Sequence, residues 1–199
     1  MKIAVFASGR GSNLQAIIDA SLSGFIPAEI ELVISDNKDA RALKRAEDAR
    51  IDNIFIDPEA FSSDRAYEEK LIEILREYEI DLIVLAGYMR ILSASFIREY
   101  RHQIINIHPS LLPAFKGLNA QQQALDYGVK YSGCTVHYVE AGVDSGPIIE
   151  QAVVRVDDND TVEDLAKRIL KEEHRIYPAV IKDIIEGQIE IKAGRVFRK

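Results

Sequence analysis

Short apolar runs at residues 2–7, 29–35, 53–56 and 81–86 recur through the first half of the chain, separated by segments with helical spacing. Each run is too short for a helix and rich in Val, Ile, Leu and Phe, as strands buried on both faces are. The intervening segments read as helices from residue 12, over 40–49 and over 64–78. Strands alternating with helices require right-handed βαβ crossovers and a parallel sheet. Past residue 100 the pattern changes. Residues 104–108 make a further strand, 118–127 a helix closed by Gly128, and 132–139 and 148–156 two strands with a turn-rich loop between them. The shorter connections predict an antiparallel extension. The expected fold is α/β: a Rossmann-like open twisted sheet, parallel in its N-terminal half and antiparallel beyond, with helices on both faces. It is expected as one domain over 1–199, with halves at 1–100 and 101–199.

The strand at 104–108 ends in Asn106-Ile107-His108-Pro109-Ser110-Leu111-Leu112-Pro113. Side chains two apart on a strand point the same way, so Asn106 and His108 share a face. An amide and an imidazole at the carboxyl end of a core strand sit where open α/β sheets keep their ligands. The first strand leads into Ser8-Gly9-Arg10-Gly11-Ser12-Asn13. Ser12 with Gln15 reads as a capping box that starts the helix at Ser12. Free N–H groups and the positive helix end converge there, a site for a single phosphate. The dinucleotide fingerprint is broken, because Leu14 stands at its last glycine. Asp36, 25 residues after Gly11, imitates a ribose-binding acid, but Asp36-Asn37 also reads as a turn-forming pair.

Composition narrows the partners. A net charge of −7 over 199 residues argues against a general nucleic-acid or anionic-membrane binder. The single cysteine, Cys134, allows no internal disulfide and no cysteine metal cluster. The N-terminal apolar run breaks into glycines too early for a signal segment, and no run reaches transmembrane length. A cytoplasmic protein is expected.

Four further features bear on chemistry. Gly87-Tyr88-Met89-Arg90-Ile91-Leu92 is an apolar and aromatic loop with one arginine, fit to wall a pocket for a flat ligand. His137 lies on the strand face of Gly133 and Thr135 and reads as structural. Asp144, between Gly142 and Gly146, is a turn aspartate unless its loop folds back over His108, where a carboxylate holds an imidazole in one tautomer. Asp160-Thr161-Val162-Glu163 reads as the cap of a last helix bearing Val162, Leu165, Ala166, Ile169, Leu170 and Tyr177 as an apolar stripe. Glu173 falls on that stripe and needs a partner there, a cation or a ligand hydroxyl. Pro178 bends or restarts this helix, and residues 189–191 and 195–197 suggest a terminal hairpin.

The segments Gly9-Arg10-Gly11-Ser12-Asn13-Leu14-Gln15, Leu85-Ala86-Gly87-Tyr88-Met89-Arg90-Ile91-Leu92, Asn106-Ile107-His108-Pro109-Ser110-Leu111-Leu112-Pro113 and Val143-Asp144-Ser145-Gly146-Pro147 together resemble the folate-dependent formyltransferase family, and within it the phosphoribosylglycinamide formyltransferases of purine synthesis. The resemblance runs from Met1 to beyond Tyr177. It implies Asn106, His108 and Asp144 as the catalytic trio, and Gly11, Ser12 and Asn13 as the site for a substrate phosphate. It implies Glu173 on the ribose hydroxyls. Arg65, Met89, Arg90, Ile91, Leu92, Asn106, Glu140, Val143 and Asp144 become folate contacts, with the loop from Glu140 to Asp144 over the pterin. Two positions depart from the pattern. Asp64 stands where the family carries an arginine, leaving Arg65 as its stand-in, and Asn119 stands where some members have histidine.

The implied reaction moves a formyl group from 10-formyltetrahydrofolate, as co-substrate, to the amine of glycinamide ribonucleotide, with no metal, as a monomer or homodimer. Asn106 and protonated His108 would face the developing oxyanion, and Asp144 would relay the proton. Three rivals remain. A tRNA formyltransferase would carry a further C-terminal domain. A formyltetrahydrofolate hydrolase would carry an extra N-terminal one, whereas this chain begins at its first strand. A non-catalytic nucleotide-binding module would leave Asn106, His108 and Asp144 without a shared purpose.

Overall fold

The computed structural model describes residues 1–199, which form two compact units, Met1–Ile105 and Asn106–Lys199. Seven strands belong to a mixed sheet, and two more make a small separate one. The α/β class, the parallel N-terminal strands and the antiparallel C-terminal pair agree with the sequence.

The first unit runs β1 (Lys2–Phe6), α1 (Ser12–Leu22), β2 (Glu29–Ser35), α2 (Arg41–Asp48), β3 (Asp52–Phe55), a 3-10 turn (Pro58–Ala60), α3 (Asp64–Glu77), β4 (Leu82–Leu85) and α4 (Ala94–Glu99), and leads into β5 (Ile104–His108). Its strand order is β3-β2-β1-β4, with β1 parallel to both neighbours and β2 parallel to β3. Ile3, Ala4, Val5 and Phe6 are all fully buried, which is why this run carries no polar alternation. α3 turns Tyr67, Leu71, Ile74 and Leu75 inward at helical spacing. α4 is absent from the sequence reading. Its six residues are too few to establish a period, and it starts at the cap of Ser93, whose Oγ accepts from Phe96 N–H.

The second unit continues with α5 (Ala120–Tyr127), β6 (Tyr131–Tyr138), β7 (Ile148–Arg155), α6 (Val162–Ile185), β8 (Ile189–Lys192) and β9 (Arg195–Arg198). β6 and β7 are antiparallel, and their register slips between Val136 and His137. The extra, unpaired residue is Ile149 of β7, opposite the step from Val136 to His137. Gly133 is obligatory: a Cβ would lie 1.9 Å from the Ala152 carbonyl oxygen and 2.9 Å from Leu111 Cδ2. α6 packs on β6 and β7 through Leu165, Ile169, Ile176, Val180 and Ile181. Its cap is Thr161 with Asp164, one residue along from the expected pairing, because Asp160 is engaged by Arg168. Pro178 sits within α6 without ending it. β8 and β9 form the expected hairpin, tied down by Arg198 on Glu150 and Asp183. No helix is long and apolar enough to cross a membrane.

Candidate active site

In the first unit, β1 runs straight into the glycine loop. Gly11 adopts the left-handed region, φ 67°, and is the N-cap of α1. A Cβ there would lie 2.9 Å from Ala42 Cα, so only glycine fits. The helix starts at Ser12 as expected, but the capping box does not form. Ser12 is the first helical residue rather than the cap, and no side chain caps this end. The Gln15 side chain instead donates to Asp19 and accepts from Arg45. No acidic residue lies in the first turn of α1. The positive helix end is left for an anion. Asn37 makes the expected turn, its Oδ1 accepting from Asp39 N–H at 3.0 Å.

The loop after β4 is fastened to that glycine loop by Ser8. Ser8 N–H donates to the Gly87 carbonyl, and Ser8 Oγ accepts from Met89 N–H at 2.8 Å. One face of α3 holds the same loop from the other side. The Tyr67 and Tyr88 hydroxyls share a hydrogen bond of 2.7 Å, and the Asp64 carboxylate pairs with Arg90. Arg90 also lies 5.0 Å from the centre of the Tyr67 ring. Buried Glu68 accepts from both the N–H and the hydroxyl of Ser93. Burial pushes the Tyr67 and Tyr88 phenols above their ordinary range, so both stay neutral. Fixed in this way, the loop leaves Met89 64% and Ile91 79% exposed, with Leu92 buried beneath. Arg65 lies off this face. Its side chain is 86% exposed and pairs with Glu69.

In the second unit, Asn106 and His108 stand at the end of β5, the imidazole buried and the amide half-buried. His108 Nε2 lies 2.9 Å from the Phe115 carbonyl oxygen, which can only accept, so Nε2 carries a proton. His108 Nδ1 lies 3.3 Å from Asp144 Oδ2. Both ring nitrogens thus face oxygen acceptors. The Asp144 loop does fold back over His108. Asp144 itself sits at φ 44° with its side chain 12% exposed, and Oδ2 also accepts from Gly117 N–H at 2.6 Å. Phe115 and Asn119 share the left-handed region with it, at φ 53° and 57°. At residue 119 asparagine is one of the few side chains at ease there.

Glu140 and Val143 are exposed on the loop that carries Asp144, and Glu140 N–H donates to the Ser145 carbonyl. Glu173 is buried on α6 near Cys134 and Tyr177. Burial, with this carboxylate adding to it, pushes the Cys134 thiol up to about 12, so it is no nucleophile at neutral pH. No group of three or more His, Cys, Asp or Glu side chains is arranged to hold a metal ion.

The model of the formyl transferase family matches residues 1–181. The chain belongs to that family. This formyl transferase is 45% identical over 184 residues to the phosphoribosylglycinamide formyltransferase of Bacillus subtilis (strain 168), covering 92% of this chain and 94% of that one. It is 42% identical over 197 residues to the trifunctional purine biosynthetic protein adenosine-3 of Gallus gallus, matching 98% of its own length but spanning only 20% of that protein. Its structure is similar to the crystal structure of glycinamide ribonucleotide transformylase 1 from Symbiobacterium toebii, with a TM-score of 0.98 and 52% identity over 100% of this chain and 93% of that one. The family implies a formyl folate as co-substrate.

Two contacts around the candidate residues of this formyl transferase escaped the sequence. The Phe115 carbonyl and the Gly117 amide, which hold His108 and Asp144, are main-chain groups without a side-chain signature. His137 is the other. Its Nε2 lies 3.3 Å from Asn106 Nδ2. The available signal was its place on the face of Gly133 and Thr135, but its partner Asn106 lies 31 residues away in sequence.

Proposed function

We propose that this chain is a phosphoribosylglycinamide formyltransferase: it moves the formyl group of 10-formyltetrahydrofolate to the amine of 5′-phosphoribosylglycinamide, in purine biosynthesis. The observation that carries the reading is buried His108 held between Asp144 and the Phe115 carbonyl, with Asn106 beside it on the same strand face. Identity of 45% along a curated relative of that name supports it.

The amine nitrogen attacks the formyl carbon, one C–N bond forms, and the carbonyl oxygen gains negative charge. The Asn106 amide N–H not turned to His137 is one donor for that oxygen, and His108 supplies the second when Nδ1–H turns from Asp144 to the substrate, Nε2–H staying on the Phe115 carbonyl. Losing one such donor typically costs about 10²–10³ in turnover. The bond from the formyl carbon to folate nitrogen then breaks, and a proton passes from the attacking nitrogen to the leaving one. Asp144 stabilises the imidazolium and accepts and returns that proton, directly or through water. The amides of Gly11, Ser12 and Asn13 take the substrate phosphate, and Glu173 takes the ribose hydroxyls. Met89, Arg90, Ile91 and Leu92 wall the folate, with the loop of Glu140 and Val143 as its cover. Exposed Met89 and Ile91 fit a flat apolar ligand, and Arg90 between them fits its anionic end. Donors and a proton carrier suffice for the route.

The test is formyl transfer itself, followed by the absorbance of the deformylated folate with and without the ribonucleotide. Turnover that requires the ribonucleotide is expected. Turnover without it makes the chain a hydrolase. His108→Ala is expected to abolish transfer while leaving ribonucleotide binding intact.

A further inference from the structure

Three consecutive carbonyls of the glycine loop are captured by one neighbouring segment. The Ser8 carbonyl accepts from Asn37 Nδ2–H at 3.1 Å, the Gly9 carbonyl from Ala42 N–H at 3.1 Å, and the Arg10 carbonyl from Arg45 Nε–H at 2.9 Å. In a planar trans peptide the N–H points opposite to the C=O. Tying these three carbonyls to the 37–45 segment therefore turns the N–H groups of Gly9, Arg10 and Gly11 away from it. Gly9 and Arg10 are exposed, and a Cβ on Gly9 would meet nothing within 4 Å, whereas one on Gly11 runs into Ala42. The donors are themselves held. Asn37 Oδ1 accepts from Asp39 N–H, which leaves Nδ2 facing Ser8, and Arg45 Nη1–H donates to Gln15 Oε1 at 2.7 Å.

We propose that Asn37 and Arg45 are positioning residues that aim the amides of Gly9, Arg10 and Gly11 at the substrate phosphate, so that the anion cradle begins at Gly9 and not at the start of α1. This rests on the phosphate-binding reading of the loop given above. Successive amides presented on one side of a turn form a concave anion site, and they add to the positive end of the helix dipole. Arg45 acts on the loop through the Arg10 carbonyl, and Asn37 acts through the Ser8 carbonyl without carrying any charge.

The experiment compares Arg45→Met, Arg45→Lys and Asn37→Ala on two substrates, phosphoribosylglycinamide and its dephosphorylated riboside. With the phosphorylated substrate, Arg45→Met is expected to raise its KM roughly tenfold or more, the scale of a hydrogen bond to a charged group. The kcat and the KM for formyl folate should stay within about twofold of the parent, as expected for a loss confined to ground-state binding. Arg45→Lys should recover part of the loss, and Asn37→Ala should raise the same KM with no change of charge. With the riboside all three variants should match the parent.

A loss shared equally by both substrates would mean a merely structural role and overturn the proposal. So would an Asn37→Ala enzyme indistinguishable from the parent beside an Arg45→Met loss that disappears in high salt, which would reduce Arg45 to a distant charge. A parent enzyme with no preference for the phosphorylated substrate would overturn the phosphate reading, and this proposal with it. Should Arg45→Met fail to fold, Asn37→Ala reads the same quantities.

Discussion

His137 Nε2 sits 3.3 Å from the amide nitrogen of Asn106, while His137 Nδ1 sits 2.8 Å from the carbonyl oxygen of Tyr138. A carbonyl accepts, so Nδ1 carries the proton and Nε2 offers its lone pair to Asn106. The ring must be neutral for this, and burial lowers it below its ordinary value of 6.5. The imidazole thereby decides which end of the Asn106 amide is which. His137→Leu is expected to reduce kcat by about 10²-fold, as misplaced catalytic groups do, and His137→Gln to retain much of it.

The same residue predicts a pH dependence of stability. With the folded value below the unfolded one, the unfolded chain binds more protons as pH falls below 6.5. Stability that is fully present above that pH is therefore lost on acidification toward the folded value. Urea midpoints at pH 7.5 and 5.5 should differ more for the parent than for His137→Gln.

Glu68 anchors the wall loop through two donors of Ser93, which in turn caps α4. Glu68→Gln keeps an acceptor for Ser93 N–H but replaces two charge-assisted hydrogen bonds by neutral ones and reverses the bond to the Ser93 hydroxyl. It is expected to destabilise the fold by about 1–3 kcal/mol, and to raise the KM for formyl folate by loosening Met89 to Leu92. Denaturant titration and steady-state kinetics read the two effects.

Asp64 pairs with the Arg90 guanidinium, which the proposed function gives to the folate's anionic end. The Asp64 side chain is 83% exposed, so the pair is worth less than about 1 kcal/mol to stability. Asp64→Asn should leave the melting temperature nearly unchanged and lower the KM for formyl folate. A KM that rises would show instead that Asp64 is needed to hold Arg90 in place.

Gly133→Ala places a carbon 1.9 Å from a main-chain oxygen of the partner strand. Neither β6 nor β7 has a flexible group to yield there. A loss of roughly 3 kcal/mol or more is expected, read as a lowered urea midpoint or as insoluble protein.

Much of this architecture was legible because it is local. Lys2 to Phe6 could only be a buried strand, and Asn106 with His108 could only share a face. What was not legible came from distant residues. Gly11 rather than Ser12 caps α1, because Ala42 and Arg45, some thirty residues on, pack against the loop. Arg65, the stand-in for the family arginine, pairs with Glu69, whereas its neighbour Asp64 pairs with Arg90 across a gap of 26 residues that sequence alone does not bridge. His137 reads as an ordinary strand residue, because its contact with Asn106 is made across two strands 31 residues apart in sequence.

The Gly117 amide donates to the same Asp144 oxygen that faces His108, at 2.6 Å. A short hydrogen bond to a carboxylate shifts an amide proton far downfield, and glycine nitrogens resonate apart from those of other residues. The chain thus contains its own spectroscopic gauge. A single glycine cross-peak will move whenever Asp144 is drawn away or His108 changes charge, so ligand arrival can be followed by NMR with no dye, tag or mutation near the chemistry.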